Sequence, residues 1–366
     1  MAEIDNKFQA ESVAINVKLS DPEGDATFML EVVLHEGVVV EVKEIFKGFV
    51  KTLDSESSIV SAVVLEALFM SYAASWITNP KEELPSTEYL LSVAVSIPVV
   101  GLTQLMQIVV LYKTLGIAPG ELAASFKELA GHSQGISTAT ALSMATDEES
   151  FYDIAKKVLG LLMITGIFPQ KDYPPARVEE KSNATSGISQ SPTSMVCVLK
   201  LTRTQLQRVI DQHNIKQKTP AMHTYIALVN GDRFFVVSGV VSSVAQLVRR
   251  LVAVYDVEGI DQSRINFSQR KPKVMISYVS IKAPYHCVLL EHAVEKAQEY
   301  AKAKGWQLDA REMRCAVRAN DDGHDIRTEA NLTDYLLESM CVLPVDWPLA
   351  VRSTCATHMV DFGPGG

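Results

Sequence analysis

The segment Gly131-His132-Ser133-Gln134-Gly135, preceded by Leu129-Ala130 and followed by an apolar-rich run, constrains this chain more than any other stretch. It is a G-x-S-x-G sequence. At a strand-to-helix junction, glycines two residues either side of a serine allow a sharp turn that pushes the hydroxyl outward. The N–H of Gln134 then points into the N-terminus of a helix, where a developing oxyanion is stabilised. A serine alcohol is a weak nucleophile, so the arrangement serves acyl transfer or hydrolysis only with a base nearby. The plain alternative is a small residue in a tight packing turn.

Bulk properties narrow the classes. At 366 residues the chain can bury one large core or two modest ones. Hydrophobic residues make up 47% and charged residues 21%, as in an ordinary globular protein. A net charge of −9 argues against nucleic acid, because phosphate binding needs a concentrated basic face. The five cysteines (Cys197, Cys287, Cys315, Cys341, Cys355) form no C-x-x-C pair. That usage fits reduced thiols in a cytoplasmic protein, with neither a disulfide framework nor a metal site. The N-terminus lacks the basic and apolar regions of a secretory signal. The run Ile59–Ile77 carries Glu66 and is short for a membrane span, so a buried helix is the expectation there.

Along the chain, Val13, Ile15 and Val17, then Phe28 to Val33, alternate around Asp21-Pro22-Glu23-Gly24, which predicts a β-hairpin. Residues 45–78 read as helical. Pro98 is expected to open a helix that stops at Gly116, and Pro119-Gly120 to mark a turn. Helices are predicted from just after Ser133 to Ala145, and from Phe151 to Ile167, the latter closed by Pro169. Gln170 to Ser194 loses all periodicity and reads as a linker. Beyond it the pattern is β-α-β-β-α-β, the ferredoxin-like order: Met195–Leu199, Thr202–Gln212, Tyr225–Val229, Phe234–Ser238, Ser242–Val254 and Val274–Ile281. A long helix follows over Leu289–Lys304. The resulting division is a hairpin over 1–44, a large α/β subdomain over 45–193, the small subdomain over 194–282, and a return to the large one over 283–366.

Among eight histidines, His286 is the candidate base, since Ala283-Pro284-Tyr285-His286 is a loop after a predicted strand. His132 would point to the other side of the turn. His358, in what reads as a strand entering a glycine loop, is expected to pack behind the site. Cys287 is discounted as a partner of His286 because adjacent side chains point apart. Met163 reads as core.

Several ordered motifs carry a family resemblance: Gly131–Gly135, Leu228-Val229-Asn230-Gly231, Val236-Val237-Ser238-Gly239, Gly259–Ile265, Ala283–His286 and Asp361–Gly366. Upstream, Tyr89–Ser92 with Ile97–Gly101, and Leu115–Leu122, agree as well. From about residue 45 to the last, the chain resembles the acetyltransferase domain of the fungal-type fatty acid synthase β subunit. The resemblance implies an acyltransferase fold, with an α/β-hydrolase-like large subdomain and an inserted ferredoxin-like one. It implies Ser133 as the acylated nucleophile, His286 as its base and the Gln134 amide as an oxyanion donor. Acetyl-CoA would be the donor, with no permanently bound cofactor. The partners would be an acyl carrier domain and other synthase domains, without membrane or nucleic acid.

Asn230 and Ser238 would border the cleft, in largely structural roles. In Gln269-Arg270-Lys271-Pro272-Lys273, Arg270 and Lys271 could meet coenzyme A phosphates or an acidic carrier; solvated surface charge is the alternative. Malonyl-loading relatives hold the free carboxylate with an arginine on the second helix after the serine, whereas Val158–Thr165 has none. Acetyl or another uncharged acyl group is therefore expected. The family's Gly-Gly-Gln-Gly turn, which supplies a second oxyanion donor, has no counterpart in residues 1–44. Gln104 is a candidate replacement, and a catalytically impaired fragment with a structural role in a synthase is one alternative. A serine esterase is the other, with Asp256 or Asp261 as its acid.

Overall fold

The structure, a computed structural model, describes residues 11–16, 29–34, 90–173, 190–257, 262–352, 356 and 358–361, the first two segments as backbone. Strand β1 (Glu11–Asn16) pairs antiparallel with β2 (Met29–Leu34), as the predicted hairpin requires, with Val13 opposite Val32. The hairpin turn, the expected helix over 45–78 and the motif at Gly259–Asp261 lie outside the described residues.

Three prolines sit differently from expectation. Helix α1 (Val93–Leu115) begins five residues before Pro98, which lies inside it. Its first turn is held from outside: Gln170 Oε1 accepts from the Ser92 hydroxyl at 2.7 Å and the Ala94 N–H at 3.3 Å. Gly116, left-handed at φ 66°, ends the helix as the sequence predicts. Pro119 opens a helix rather than a turn, α2 (Pro119–Ser125), because a first-turn position needs no N–H donor. The two-residue strand β3 (Leu129–Ala130), helix α3 (Gly135–Met144) and helix α4 (Glu148–Asp172) follow. Asp147 caps α4 by accepting from Ser150 N–H at 2.9 Å.

Pro169 was expected to close α4 but lies within it. Proline lacks the N–H that would bond the carbonyl four residues back, here that of Thr165. The buried Tyr285 hydroxyl takes over, donating to Thr165 O at 2.9 Å. A long-range contact rescues the helix.

The small subdomain comprises β4 (Met195–Leu199), α5 (Arg203–Asn214), β5 (Tyr225–Gly231), β6 (Phe234–Ser238), α6 (Val241–Val254), β7 (Asp256–Val257) and β8 (Lys273–Tyr278). Its four main strands run β5-β6-β4-β8, all antiparallel, which is the ferredoxin-like order. Alternation decides the faces. Val196, Val198, Phe235 and Val237 pack on α5 and α6, while Met195 and Val236 join the larger core.

The chain then returns through α7 (Glu291–Ala303), β9 (Val317–Arg318), α8 (Leu332–Cys341), β10 (Val345–Asp346) and α9 (Trp347–Arg352). Strand β9 lies parallel to β3, and β10 adds to the edge of the small sheet beside β5. Around β3 and β9, helices α1, α3, α4, α7 and α8 enclose the main core. Helix α1 is long and apolar enough to cross a bilayer. Here Val95, Leu105, Val109 and Tyr112 are buried in the core, against α4 among others. The segment 358–361 is irregular and exposed, not a strand, so His358 does not pack behind the site.

Replacing Tyr285 by Phe should leave the Thr165 carbonyl buried and unbonded, at a cost of about 1–3 kcal/mol. A urea melt of Tyr285→Phe against the parent checks this; an unchanged midpoint would mean another donor reaches that carbonyl.

Candidate active site

Ser133 occupies the turn between β3 and α3 with φ 54°, a left-handed conformation unusual for a side-chain-bearing residue. Only one of its two flanking glycines is sterically required. A Cβ on Gly131 would lie 2.0 Å from Gly135 C and 2.3 Å from Ile136 N. A Cβ on Gly135 would meet only Gln104 Nε2, at 3.7 Å. The tight turn thus depends on Gly131, and Gly135 leaves open space.

Holding Ser133 in this conformation, at about 1–3 kcal/mol of strain, falls partly to Asn320. This residue is fully buried just after β9. Its Oδ1 accepts from Ser133 N–H at 3.3 Å and its Nδ2 donates to Ser133 O at 3.1 Å. Helix α3 behind the serine is almost wholly buried. Its small polar residues are satisfied internally: Thr140 donates to Ile136 O at 2.8 Å, and Ser137 to Met340 Sδ at 3.2 Å.

His286 is also left-handed, at φ 59°, with its N–H donated to Cys341 O at 2.6 Å. A carbonyl can only accept, so the 2.8 Å contact between Nδ1 and Leu343 O places the ring proton on Nδ1. Nε2 is then a lone-pair acceptor, and it lies 2.7 Å from Ser133 Oγ. Burial pushes the imidazole down to about 4, against a raising effect of the Leu343 carbonyl and a further lowering by His132. The ring is neutral near pH 7 and able to take the serine proton.

The remaining candidates separate clearly. Among the described residues no partner engages the Gln134 N–H, which begins α3 beside Ser133. Gln104 Oε1 accepts from the Thr138 hydroxyl at 3.1 Å, which fixes its carboxamide near the start of α3. His132 turns away from the serine: its Nε2 is 2.9 Å from Asn230 Oδ1, and its ring stands edge-on to Trp347. Asn230 therefore engages His132. Ser238 is fully buried beside the Cys287 thiol. Arg270 donates to the carbonyls of Ile265 and Ser263, and Lys271 to that of Ala253. Both precede β8, three strands across the sheet from β5, and the structure does not bring them to the serine. The Cys287 thiol, pushed up to about 11 by burial, donates to Pro284 O at 3.1 Å and takes no part in a Cys–His pair.

The acid expected of an esterase is not where it would be needed. Asp256 lies on β7 at the far edge of the sheet and accepts from Gln262, and Asp261 is outside the described residues. A backbone carbonyl takes the acid's place. Asn320 and Leu343 were missed by sequence reasoning, since neither a lone asparagine nor a carbonyl donates a recognisable motif. Asp321, Asp322 and His324 each bring one possible metal-ligand atom within 4.8 Å of the others, though His324 is already bonded to Asp322 and Glu329.

The profile described as "Starter unit:ACP transacylase in aflatoxin biosynthesis" matches residues 50–286. The chain belongs to this family. Fatty acid synthase subunit beta of Saccharomyces cerevisiae is 33% identical over 298 residues, covering 80% of this chain and 14% of the yeast one. The Schizosaccharomyces pombe subunit is 36% identical over 293 residues, covering 78% and 14%. The chain thus spans about one-seventh of these relatives' length. Among solved structures, the malonyl CoA-acyl carrier protein transacylase of Clostridium perfringens superposes with a TM-score of 0.52 at 18% identity, covering 84% of this chain and 72% of that one. The resemblance read from the ordered motifs and the acyltransferase fold both stand.

Two outcomes test the geometry. Labelling of Ser133 by a fluorophosphonate should stay flat from about pH 8 down to about pH 5 and fall only as His286 gains its proton near about 4. A decline centred on the ordinary histidine value, read from pH-dependent labelling rates, would contradict the buried base. Gly131→Ala should abolish labelling, and Gly135→Ala should retain the parent's melting temperature; equal losses of folded protein would contradict the one-sided constraint.

Proposed function

We propose that the chain transfers a short uncharged acyl group, acetyl in the first instance, from coenzyme A through Ser133 to the phosphopantetheine thiol of an acyl carrier domain. The observation that carries this reading is the 2.7 Å contact of Ser133 Oγ with His286 Nε2, on a ring kept neutral by burial and oriented by the Leu343 carbonyl. Ser133 Oγ attacks the thioester carbonyl while its proton passes to His286 Nε2. The tetrahedral oxyanion is met by the Gln134 N–H at the start of α3, and Gln104 stands by as a second donor. Collapse expels the coenzyme A thiolate, which recovers the proton from His286. In the second half-reaction the carrier thiol gives its proton to His286 and attacks the acyl-serine. Ser133 leaves and is reprotonated.

The preference for an uncharged acyl group rests on α4. Val158, Leu159, Leu161, Leu162, Met163 and Ile164 are all buried, and no cation stands among them. An unpaired carboxylate there would cost several kcal/mol. Family membership supports a carrier-protein acceptor and neighbouring synthase domains as partners, since the matched profile is named for a starter unit:ACP transacylase. A cytoplasmic setting fits the buried, unpaired thiols of Cys287, Cys315 and Cys341.

Incubation with acetyl-CoA should give an acyl adduct in the intact mass that is absent from Ser133→Ala, and malonyl-CoA should give little. An equal malonyl adduct would overturn the specificity, and no adduct from either donor on the folded chain would overturn the transfer reaction.

A further inference from the structure

We propose that Asn320 is a positioning residue for Ser133, holding the nucleophile's own peptide groups so that its hydroxyl stays on the His286 nitrogen; this rests on the reading of Ser133 as nucleophile. The Asn320 carboxamide is a planar donor–acceptor pair, and both halves are spent on one residue. Oδ1 takes the Ser133 N–H at 3.3 Å and Nδ2 gives to Ser133 O at 3.1 Å. The second Nδ2 hydrogen goes to Ser339 Oγ at 3.3 Å, so the amide cannot flip without losing all three bonds. The backbone of Asn320 is fixed too, since its carbonyl accepts from Asp346 N–H at 2.7 Å.

The serine needs such a partner. Its N–H meets only Asn320 among the described residues, and the turn has no sheet bond to offer it. Its left-handed φ of 54° would relax if that N–H were released, and rotation about the backbone swings Oγ away from Nε2. Asn320 touches no reacting atom. It acts through the backbone of the residue that does.

Asn320→Asp separates positioning from a structural role. As a carboxylate, Asp presents two acceptors, one of them against the Ser133 carbonyl. Protonated, it again offers one donor and one acceptor, as asparagine does. The titratable groups around it are His286 and His132 flanking the serine, Asp321 bonded to the Tyr335 hydroxyl, and Asp346 facing Arg203. The experiment measures the rate of fluorophosphonate labelling of the parent, Asn320→Ala and Asn320→Asp between about pH 8 and about pH 5.5, with melting temperatures alongside. In the labelling step Ser133 Oγ bonds to phosphorus, fluoride departs and the serine proton passes to His286.

Asn320→Ala is expected to label about 100-fold more slowly. Asn320→Asp is expected to be slow near pH 8 and to gain about tenfold relative to the parent as the pH falls and its carboxyl takes a proton. An Asp variant whose rate follows the parent within about threefold at every pH overturns the proposal. If the Ala variant does not fold, the pH dependence of the Asp-to-parent ratio decides alone. A folded parent that does not label, or a Ser133→Ala variant that labels equally, overturns instead the reading of Ser133 as nucleophile.

Discussion

The approach of Gly131 to the backbone of Gly135 and Ile136 is the constraint on which the rest of the site depends. With no side chain at Gly131, the chain folds back within four residues from the end of β3 into the first turn of α3. Three consequences follow from that one contact. Ser133 takes a left-handed conformation in the turn, which the Asn320 carboxamide helps to hold. The Gln134 N–H is left at a helix N-terminus without a partner among the described residues. Helix α3 is driven straight into the core, which is why it is built from small residues whose hydroxyls bond locally or to Met340 and Cys315.

A second constraint joins the two subdomains. The short segment Cys341–Trp347 contacts His286, Asn320, His132 and the small sheet. Cys341 O and Leu343 O fix the His286 backbone and ring. Val345 and Asp346 extend the small sheet beside Leu228 and Val229, and Asp346 N–H holds Asn320. Trp347 meets the His132 ring, which Asn230 binds from β5. His286, the Ser133 turn and the small sheet are therefore tied together through a single stretch, partly by its main-chain groups. Main-chain groups carry no sequence signature, so a Ser–His pair without an acid is compatible with many local sequences.

The strands and helices of the small subdomain were readable because their alternation is strict: Val196 and Val198 face one core while Met195 faces another. Prolines misled the reading. Pro98 and Pro169 both lie inside helices, and for Pro169 a distant group compensates: the Tyr285 hydroxyl satisfies the carbonyl that it leaves free. Local rules treat a proline as punctuation because they cannot see a donor more than a hundred residues away. Residue type indicates what a side chain could bind, but only the fold shows that Ser238 is fully buried and that Arg270 and Lys271 donate to nearby carbonyls.

Sequence by itself determined the family and the order of the small subdomain's elements, and it singled out the Gly131–Gly135 turn and His286, which the fold brings within 2.7 Å of each other at Ser133 Oγ. These are local patterns or ordered motifs, fixed by residue type and spacing along the chain. Tertiary structure alone decided what holds the pair together: the Asn320 carboxamide across 187 residues, the Leu343 carbonyl across 57, and the neutral state of a buried imidazole. Each depends on which groups meet in space and on how completely water is excluded. Neither quantity is written in any short stretch of chain.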